Sequence, residues 1–319
     1  WRGDPPEPSY PSFASDPVKD EVCDLVRGRY GGHPGQLHPA TLPVTAADAE
    51  RVWAWAMSSC LPHFGPYEDA MSVRASRLFH TRTAELLNLH RLLPRRVVDD
   101  VARADLPIAS QEGFIRQVIG WREFVRHVHE ATDGFRDRPL AHPGDRPLPP
   151  AFWGGAATGM ACLDHVIDDV WRDGYSHHIT RLMVLGNLAT LLDVDARALS
   201  DWFWVAYADA YDWVVEPNVL GMATFAAGER MTTKPYVSGA AYLDRMGDAC
   251  RDCRFDPKKT CPVTPMYWAY LGRHRERMAN NPRMTLPLAA EAQRDPERRR
   301  ADAARFEQVS AALTKGEPA

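Results

Sequence analysis

Apolar residues recur at three- and four-residue spacing through most of this chain, and the two-residue alternation of a half-buried strand is nearly absent. A mainly α fold is the expectation. Thr45 precedes Ala46-Ala47-Asp48-Ala49-Glu50 and an apolar stripe at Val52, Trp53, Ala56, Met57 and Cys60, the pattern of a capped helix with one buried face. Ser110 is expected to cap a second helix, in which Phe114, Val118, Trp121, Val125 and Val128 keep the same spacing. Ile179, Leu182, Met183, Gly186 and Leu188 mark a third that ends near Asp193, and Leu199, Trp202, Phe203 and Ala206 mark a fourth.

At 319 residues the chain makes one large or two small domains, and 45% apolar with 25% charged residues excludes a disordered, collagenous or coiled-coil protein. No apolar run reaches the roughly 18 residues of a bilayer span, and the richest, Trp202 to Val215, carries Asp209 and Asp212. We therefore expect no membrane partner and a cytoplasmic protein. The net charge of -4 announces no global nucleic-acid field. Among 38 basic residues only Lys19, Lys234, Lys258, Lys259 and Lys315 are lysine, so the rest are arginine, the better fork for phosphate oxygens.

The start, Trp1-Arg2-Gly3-Asp4-Pro5, has neither signal nor transit character and reads as a fragment beginning inside a longer protein. Residues 1–44 are rich in Pro and Gly without a sustained apolar period, and are expected to be a linker or wrapping segment. Helices are expected over 45–285, interrupted by a proline-rich connection from Pro139 to Pro150. Residues 286–319, with Arg294, Arg298, Arg299, Arg300 and Arg305 among alanines, are expected to be a charged tail with an exposed helix that frays.

Six cysteines are too few for a disulfide scaffold, but Cys250, Cys253 and Cys261 fall together, with Pro262 after the last. Three clustered thiols argue for a metal site one ligand short, either a four-thiolate iron-sulfur cluster or a zinc. Cys162, in a small-residue segment, supplies a fourth thiolate in the first case, and His274 completes a Cys₃His zinc in the second. His177 and His178 open a helix, where adjacent rings point about 100° apart and flank one pocket more readily than they share one ion. Such a pair suits proton donation. Asp209, Asp212, Glu216 and Asn218 interrupt the aromatic run Trp202, Phe203, Trp204, Tyr207, Tyr211 and Trp213. Carboxylates among rings point to a polar ligand.

Several motifs in order resemble the photolyase and cryptochrome superfamily. Gly113-Phe114-Ile115-Arg116-Gln117-Val118-Ile119-Gly120-Trp121-Arg122-Glu123-Phe124 is similar to its substrate-facing helix, and Leu78-Phe79-His80-Thr81-Arg82 with Leu86-Leu87-Asn88 to its flavin diphosphate-binding helix start. Phe64 to Met71, the Tyr175-Ser176-His177-His178-Ile179-Thr180-Arg181-Leu182-Met183 run and Thr233-Lys234-Pro235-Tyr236 resemble the iron-sulfur bacterial branch, which includes the prokaryotic (6-4) photolyases. The resemblance spans nearly all of residues 1 to 285.

That resemblance implies an all-helical FAD-binding domain, without the family's α/β antenna domain and the main site for its ribityllumazine chromophore. It implies FAD held by Phe79, His80, Thr81, Arg82, Asn88, Gln117, Arg181, Asp209, Glu216 and Asn218, and a [4Fe-4S] cluster on Cys162, Cys250, Cys253 and Cys261. His177 and His178, with Tyr236 and Tyr242 nearby, would face the lesion, and Trp202 and Trp153 would relay electrons. The implied activity is light-driven repair of a (6-4) photoproduct in damaged DNA by a monomer, with Arg116, Arg122, Arg181 and Arg283 at the rim. Alternatives are a cryptochrome-type blue-light receptor with the same cofactors, a colourless zinc-containing DNA-binding protein, and an inactive remnant.

Three departures stand out. The interval between Cys253 and Cys261 is shorter than in similar proteins, Phe203 stands where some have a tyrosine, and Gln117 stands where cyclobutane-dimer photolyases have glutamate. The last favours (6-4) repair or signalling over dimer repair.

Overall fold

Asp16 and Pro17 start a helix inside the segment whose prolines suggest a linker. In α1 (Pro17–Tyr30) the Asp16 carboxylate accepts the Lys19 N–H at 2.9 Å and Pro17 occupies the first turn. The rest of residues 1–44 wraps the molecule: Phe13 is buried, Tyr10 meets the Trp55 ring edge-on at 5.2 Å, and the Glu7 carboxylate accepts the amides of Arg77 and Leu78. The computed structural model describes residues 1–319, and its one β feature is an isolated bridge between Arg146 and Val194. No helix is long and apolar enough to cross a membrane.

Thr45 and Asp48 form a reciprocal capping box at the start of α2 (Ala46–Trp55), as their spacing requires. A wide π turn, Ala56–Cys60, carries this helix into α3 (Leu61–Tyr67). Two further helices follow, α4 (Ala84–Asn88) and α5 (Pro94–Arg103). The next, α6 (Ile108–Ile115), passes through the π turn Arg116–Trp121 into α7 (Arg122–Thr132). Ser110 does not cap α6. It lies inside the helix, fully buried, and its Oγ accepts the Gly65 N–H at 2.9 Å. Gly65 makes this possible, because a Cβ there would stand 2.6 Å from the Ala109 carbonyl carbon. The two helices therefore cross backbone to backbone, over a core that includes Trp53, Phe64, Leu86, Val97 and Phe114.

The larger core gathers the remaining helices around Phe152, Leu185, Trp202, Tyr270 and Phe306. It is built from α8 (Ala161–Asp173), α9 (His178–Thr180) running through the π turn Arg181–Gly186 into α10 (Asn187–Leu191), and α11 (Ala196–Ala206). Next come α12 (Asp212–Glu216) with the π turn Pro217–Ala223, then α13 (Ala240–Met246), α14 (Val263–Arg273) and α15 (Arg275–Met278). Gly186 lets two π turns meet, since a Cβ there would lie 2.9 Å from that of Ala223.

The C-terminal expectation is overturned. After α16 (Thr285–Ala292), the long α17 (Pro296–Thr314) neither frays nor forms a tail. Phe306, Val309 and Leu313 are buried in the larger core, and Ala319 donates its N–H to the Thr158 carbonyl at 2.8 Å. Arg273 and Arg146 lie over the Phe306 ring at 3.5 and 4.6 Å, and Arg146 donates to Ser310 Oγ at 2.7 Å. Only one narrow face of α17 is apolar, and arginine stems cover its margins, so the charged composition hides a buried stripe.

Candidate functional site

The segment before α4 forms one wall of the site. Leu78 and Arg82 adopt positive φ, at 49° each, which turns the backbone sharply on either side of Phe79, His80 and Thr81. Asp248, after α13, pins the preceding loop by accepting from Ser72 Oγ, Val73 N and Arg74 Nε at 2.8–2.9 Å, while Glu7 holds the Arg77 and Leu78 amides. Neither acid is part of a local motif. The Arg82 guanidinium is buried between the rings of Tyr10 and Tyr175, at 5.0 and 4.8 Å, with Glu85 at 4.0 Å and its Nε without a partner. Such a cation, beside the Thr81 and Thr83 hydroxyls, matches the needs of a diphosphate.

Arg181 forms the opposite wall. It pairs with Asp209 through two hydrogen bonds of 3.0 and 2.9 Å, donates Nε to the Ser176 carbonyl at 2.7 Å, and lies over the Tyr207 ring at 4.1 Å. Burial disfavours its charge, but Asp209 outweighs that penalty and holds the guanidinium protonated. The Asp209 carbonyl accepts from Asn88 Nδ2 at 3.1 Å, and Asn88 Oδ1 accepts from Arg122 at 2.7 Å. Arg122 therefore belongs to a chain of bonds across the site, under Trp213 at 4.7 Å, and is no solvated rim residue. Arg116 is exposed and paired with Glu112, and Arg283 is exposed.

Three histidines meet at the mouth. His80 stacks on His177, and His178 meets His80 edge-on at 5.3 Å, so one ring nitrogen from each lies within 4.8 Å of the others. His177 is the cap preceding α9, outside the helical geometry that would splay the pair apart. Burial, then neighbouring positive charge, pushes His80 and His177 well below the ordinary histidine range. Their Nε2 and Nδ1 atoms, respectively, are buried without partners. His178 is half exposed, with Nε2 3.4 Å from the Asp69 carboxylate. Asp69 also raises the nearby Tyr242 phenol, after burial, whereas Tyr236 packs against the larger core.

Other predicted residues fall elsewhere. Gln117 donates to Glu68 at 2.6 Å beside Gly113, and Phe79 packs on His63 and Tyr67 at 5.1 Å each. Asn218 donates to the Val214 carbonyl of its own helix. Glu216 does not join the Arg181 side: its carboxylate is taken by His129 at 3.0 Å and Arg136 at 3.3 Å, closed over by Gly134. Trp202 is buried against Tyr207, and Trp153 is 44% exposed.

Cys162, in the first turn of α8, is raised by burial and by the charges of Cys261, Cys250 and Cys253, so the four thiols share one neighbourhood. Burial likewise pushes Cys250 up to about 12 and Cys261 to about 11. Cys253 Sγ accepts the Phe255 N–H at 3.5 Å. His274, the fourth ligand of the Cys₃His alternative, has Nε2 bonded to Asp193 at 2.7 Å and its ring against Tyr270 at 4.5 Å, whereas the charges that act on Cys162 are those of the other three thiols.

Two buried arginines and three gathered histidines thus line one polar site within a helical unit. Residues 114–258 match the family described as the FAD binding domain of DNA photolyase. Over 318 residues it is 38% identical to a (6-4) photolyase of Agrobacterium fabrum, spanning 96% of this chain and 62% of that protein. A 70-residue stretch is 34% identical to an uncharacterized protein of Acanthamoeba polyphaga mimivirus, over 22% of this chain and 57% of that one. The fold is also that of a bacterial class III photolyase from Agrobacterium tumefaciens, with a TM-score of 0.51 at 14% identity, over 85% of this chain and 56% of that one.

Proposed function

We propose that this chain binds FAD in its helical unit and repairs pyrimidine (6-4) pyrimidone photoproducts in DNA under blue light. The observation that carries this reading is the Arg181–Asp209 pair facing a wall with three orphaned buried nitrogens: Arg82 Nε, His80 Nε2 and His177 Nδ1. Buried polar atoms without partners mark a polar ligand, and these suit a flavin with its diphosphate. When bound, FAD supplies the light absorption and the transferred electron.

The chain's own residues do the rest. Arg82, Thr81 and Thr83 hold phosphate oxygens, and Arg181, oriented by Asp209, presents fixed positive charge to the flavin ring system. His178 is the proton donor to the lesion. It alone of the three histidines is half exposed, and its Nε2 lies 3.4 Å from the Asp69 carboxylate. His177 and His80 stay neutral and shape the pocket. A flipped lesion base is cheap to extrude because it stacks poorly, and exposed arginines such as Arg116 and Arg283 hold phosphates in a salt-dependent way.

Cys162, Cys250, Cys253 and Cys261 would hold a [4Fe-4S] cluster. Four thiols that act on one another's charge, with no histidine among them, support a four-thiolate site. The working protein in this reading is a cytoplasmic monomer.

The test is an oligonucleotide carrying one (6-4) photoproduct, incubated with reduced protein in blue light. Restored pyrimidines are expected. A flavin-loaded protein that binds the lesion without turnover would refute the repair reading and leave the blue-light receptor.

A further inference from the structure

The open edge of the histidine group is held from far along the chain. Asp69 and His178 are 60% and 42% exposed, and a pair so open to water does little to fix its own geometry. Asp69 owes its place to the backbone on either side of it. Before it, Tyr67 closes α3, and the Tyr67 carbonyl accepts the Ala70 N–H at 3.1 Å. After it, residues 71–74 lie as a short strap against residues 246–248. Met71 donates its N–H to the Met246 carbonyl at 2.9 Å. Gly247 lets the strap approach, since a Cβ there would stand 3.1 Å from that of Met71.

Asp248 then takes three donors from consecutive residues: Ser72 Oγ at 2.9 Å, the Val73 N–H at 2.8 Å and Arg74 Nε at 2.9 Å. The Arg74 N–H closes the knot on Ser72 Oγ at 3.0 Å. Ser72 and Asp248 are both buried, although Val73 and Asp248 stand 175 positions apart in sequence.

We propose that Asp248 is a positioning residue that holds Asp69 against His178, and so sets the proton donor of the lesion mouth, a role that rests on the repair reading above. A buried carboxylate with three donors is a rigid point, because any shift of the strap would leave dry polar groups without partners. Asp248 is itself fixed on its other side. Its carbonyl accepts the Arg251 N–H at 3.1 Å, in the turn that carries Cys250 and Cys253. With the strap tied there and α3 crossed tightly with α6, Asp69 is suspended between two anchors, and Asp248 is the nearer in space to α13 and Tyr242. Asp69 is the one carboxylate that His178 meets. The Asp69 carboxyl is held below the ordinary carboxylate range by its bond to His178 first of all, so its titration reports whether that contact is made.

Carboxyl carbon-13 spectra of aspartate-labelled protein, without DNA, read Asp69 directly, and loss of one signal in Asp69→Asn assigns it. In folded, flavin-loaded Asp248→Asn, the Asp69 titration is expected to rise toward the ordinary carboxylate range. Ser72→Ala removes one of the three donors, gives a smaller shift of the same sign, and serves in place of Asp248→Asn if that variant does not fold. An Asp69 titration unmoved in the folded variant would overturn the proposal. Single-turnover repair gives a second reading through a double-mutant cycle. Asp248→Asn should lower repair roughly tenfold, the scale of one pairwise interaction. The double variant should fall no further than Asp69→Asn alone, because one residue acts through the other. Losses that multiply would mark a merely structural role and overturn the positioning one. If wild type itself repairs nothing, the repair reading fails, while the Asp69 titration still decides whether Asp248 sets the Asp69–His178 contact.

Discussion

His80 and His177 stack face to face, with ring centroids 4.5 Å apart and planes 8° from parallel. Two imidazolium ions do not stack in a buried site, so burial and their mutual proximity keep both rings neutral. In the unfolded chain each titrates near 6.5. Because the folded values are lower, the rings contribute stability that is fully present above about pH 6.5 and is lost as pH falls below it, toward the depressed folded values. The slope is at most about 1.4 kcal/mol per pH unit for each ring. Urea midpoints between pH 7.5 and 5 measure this, and His80→Gln should flatten the profile. An unchanged acid slope in that variant would contradict the assignment.

His178 is expected to behave differently from its neighbour. His178→Ala should lower repair by roughly 10²–10⁴-fold, the usual worth of a general acid, while flavin content and thermal midpoint stay near wild type. His177→Ala should lose flavin and stability together, because it opens a cavity beside His80. Single-turnover repair alongside flavin absorbance separates the two, and equal repair by His178→Ala and wild type would remove its role.

Asp209→Asn leaves Arg181 charged, buried and without its anionic partner. Breaking such a pair costs about 3–5 kcal/mol, so a lower unfolding midpoint and weaker flavin retention are expected. Replacing both residues, as Arg181→Met with Asp209→Leu, should recover stability but not flavin binding. Calorimetry with flavin titration checks both, and a stable Asp209→Asn protein would argue against the pair.

Phe306→Ala tests whether the C-terminal helix is core. Removing a buried phenylalanine costs about 3–5 kcal/mol, and here it also frees the guanidinium groups of Arg146 and Arg273. Chemical denaturation should show that loss. An exposed tail would show none.

Cys250→Ser should yield poorly soluble protein that loses iron and flavin together, since metal binding contributes to folding free energy. Iron analysis and visible absorption read the outcome. A folded, flavin-loaded variant would contradict this prediction.

Much of this molecule was legible one turn at a time. Helical periodicity, the Thr45–Asp48 box and the thiol spacing depend on residues a few positions apart, and the ordered motifs from Phe64 to Tyr236 pointed to the flavin domain as a whole. What the chain's own order concealed was pairing at long range. His274 suited a zinc by composition, but its ring packs on Tyr270 and bonds Asp193, 81 positions away, and the charges on Cys162 are those of three thiols. Glu216 stood among aromatic rings and Asp209, yet it is claimed by His129 and Arg136. Asp248, Tyr207 and Asp69 gain their importance only from neighbours delivered by other segments. Residue type and spacing determined which helices form and which chemistry is available. Tertiary packing alone decided which polar atoms were left without partners, because desolvation and hydrogen bonding depend on what surrounds a group in space.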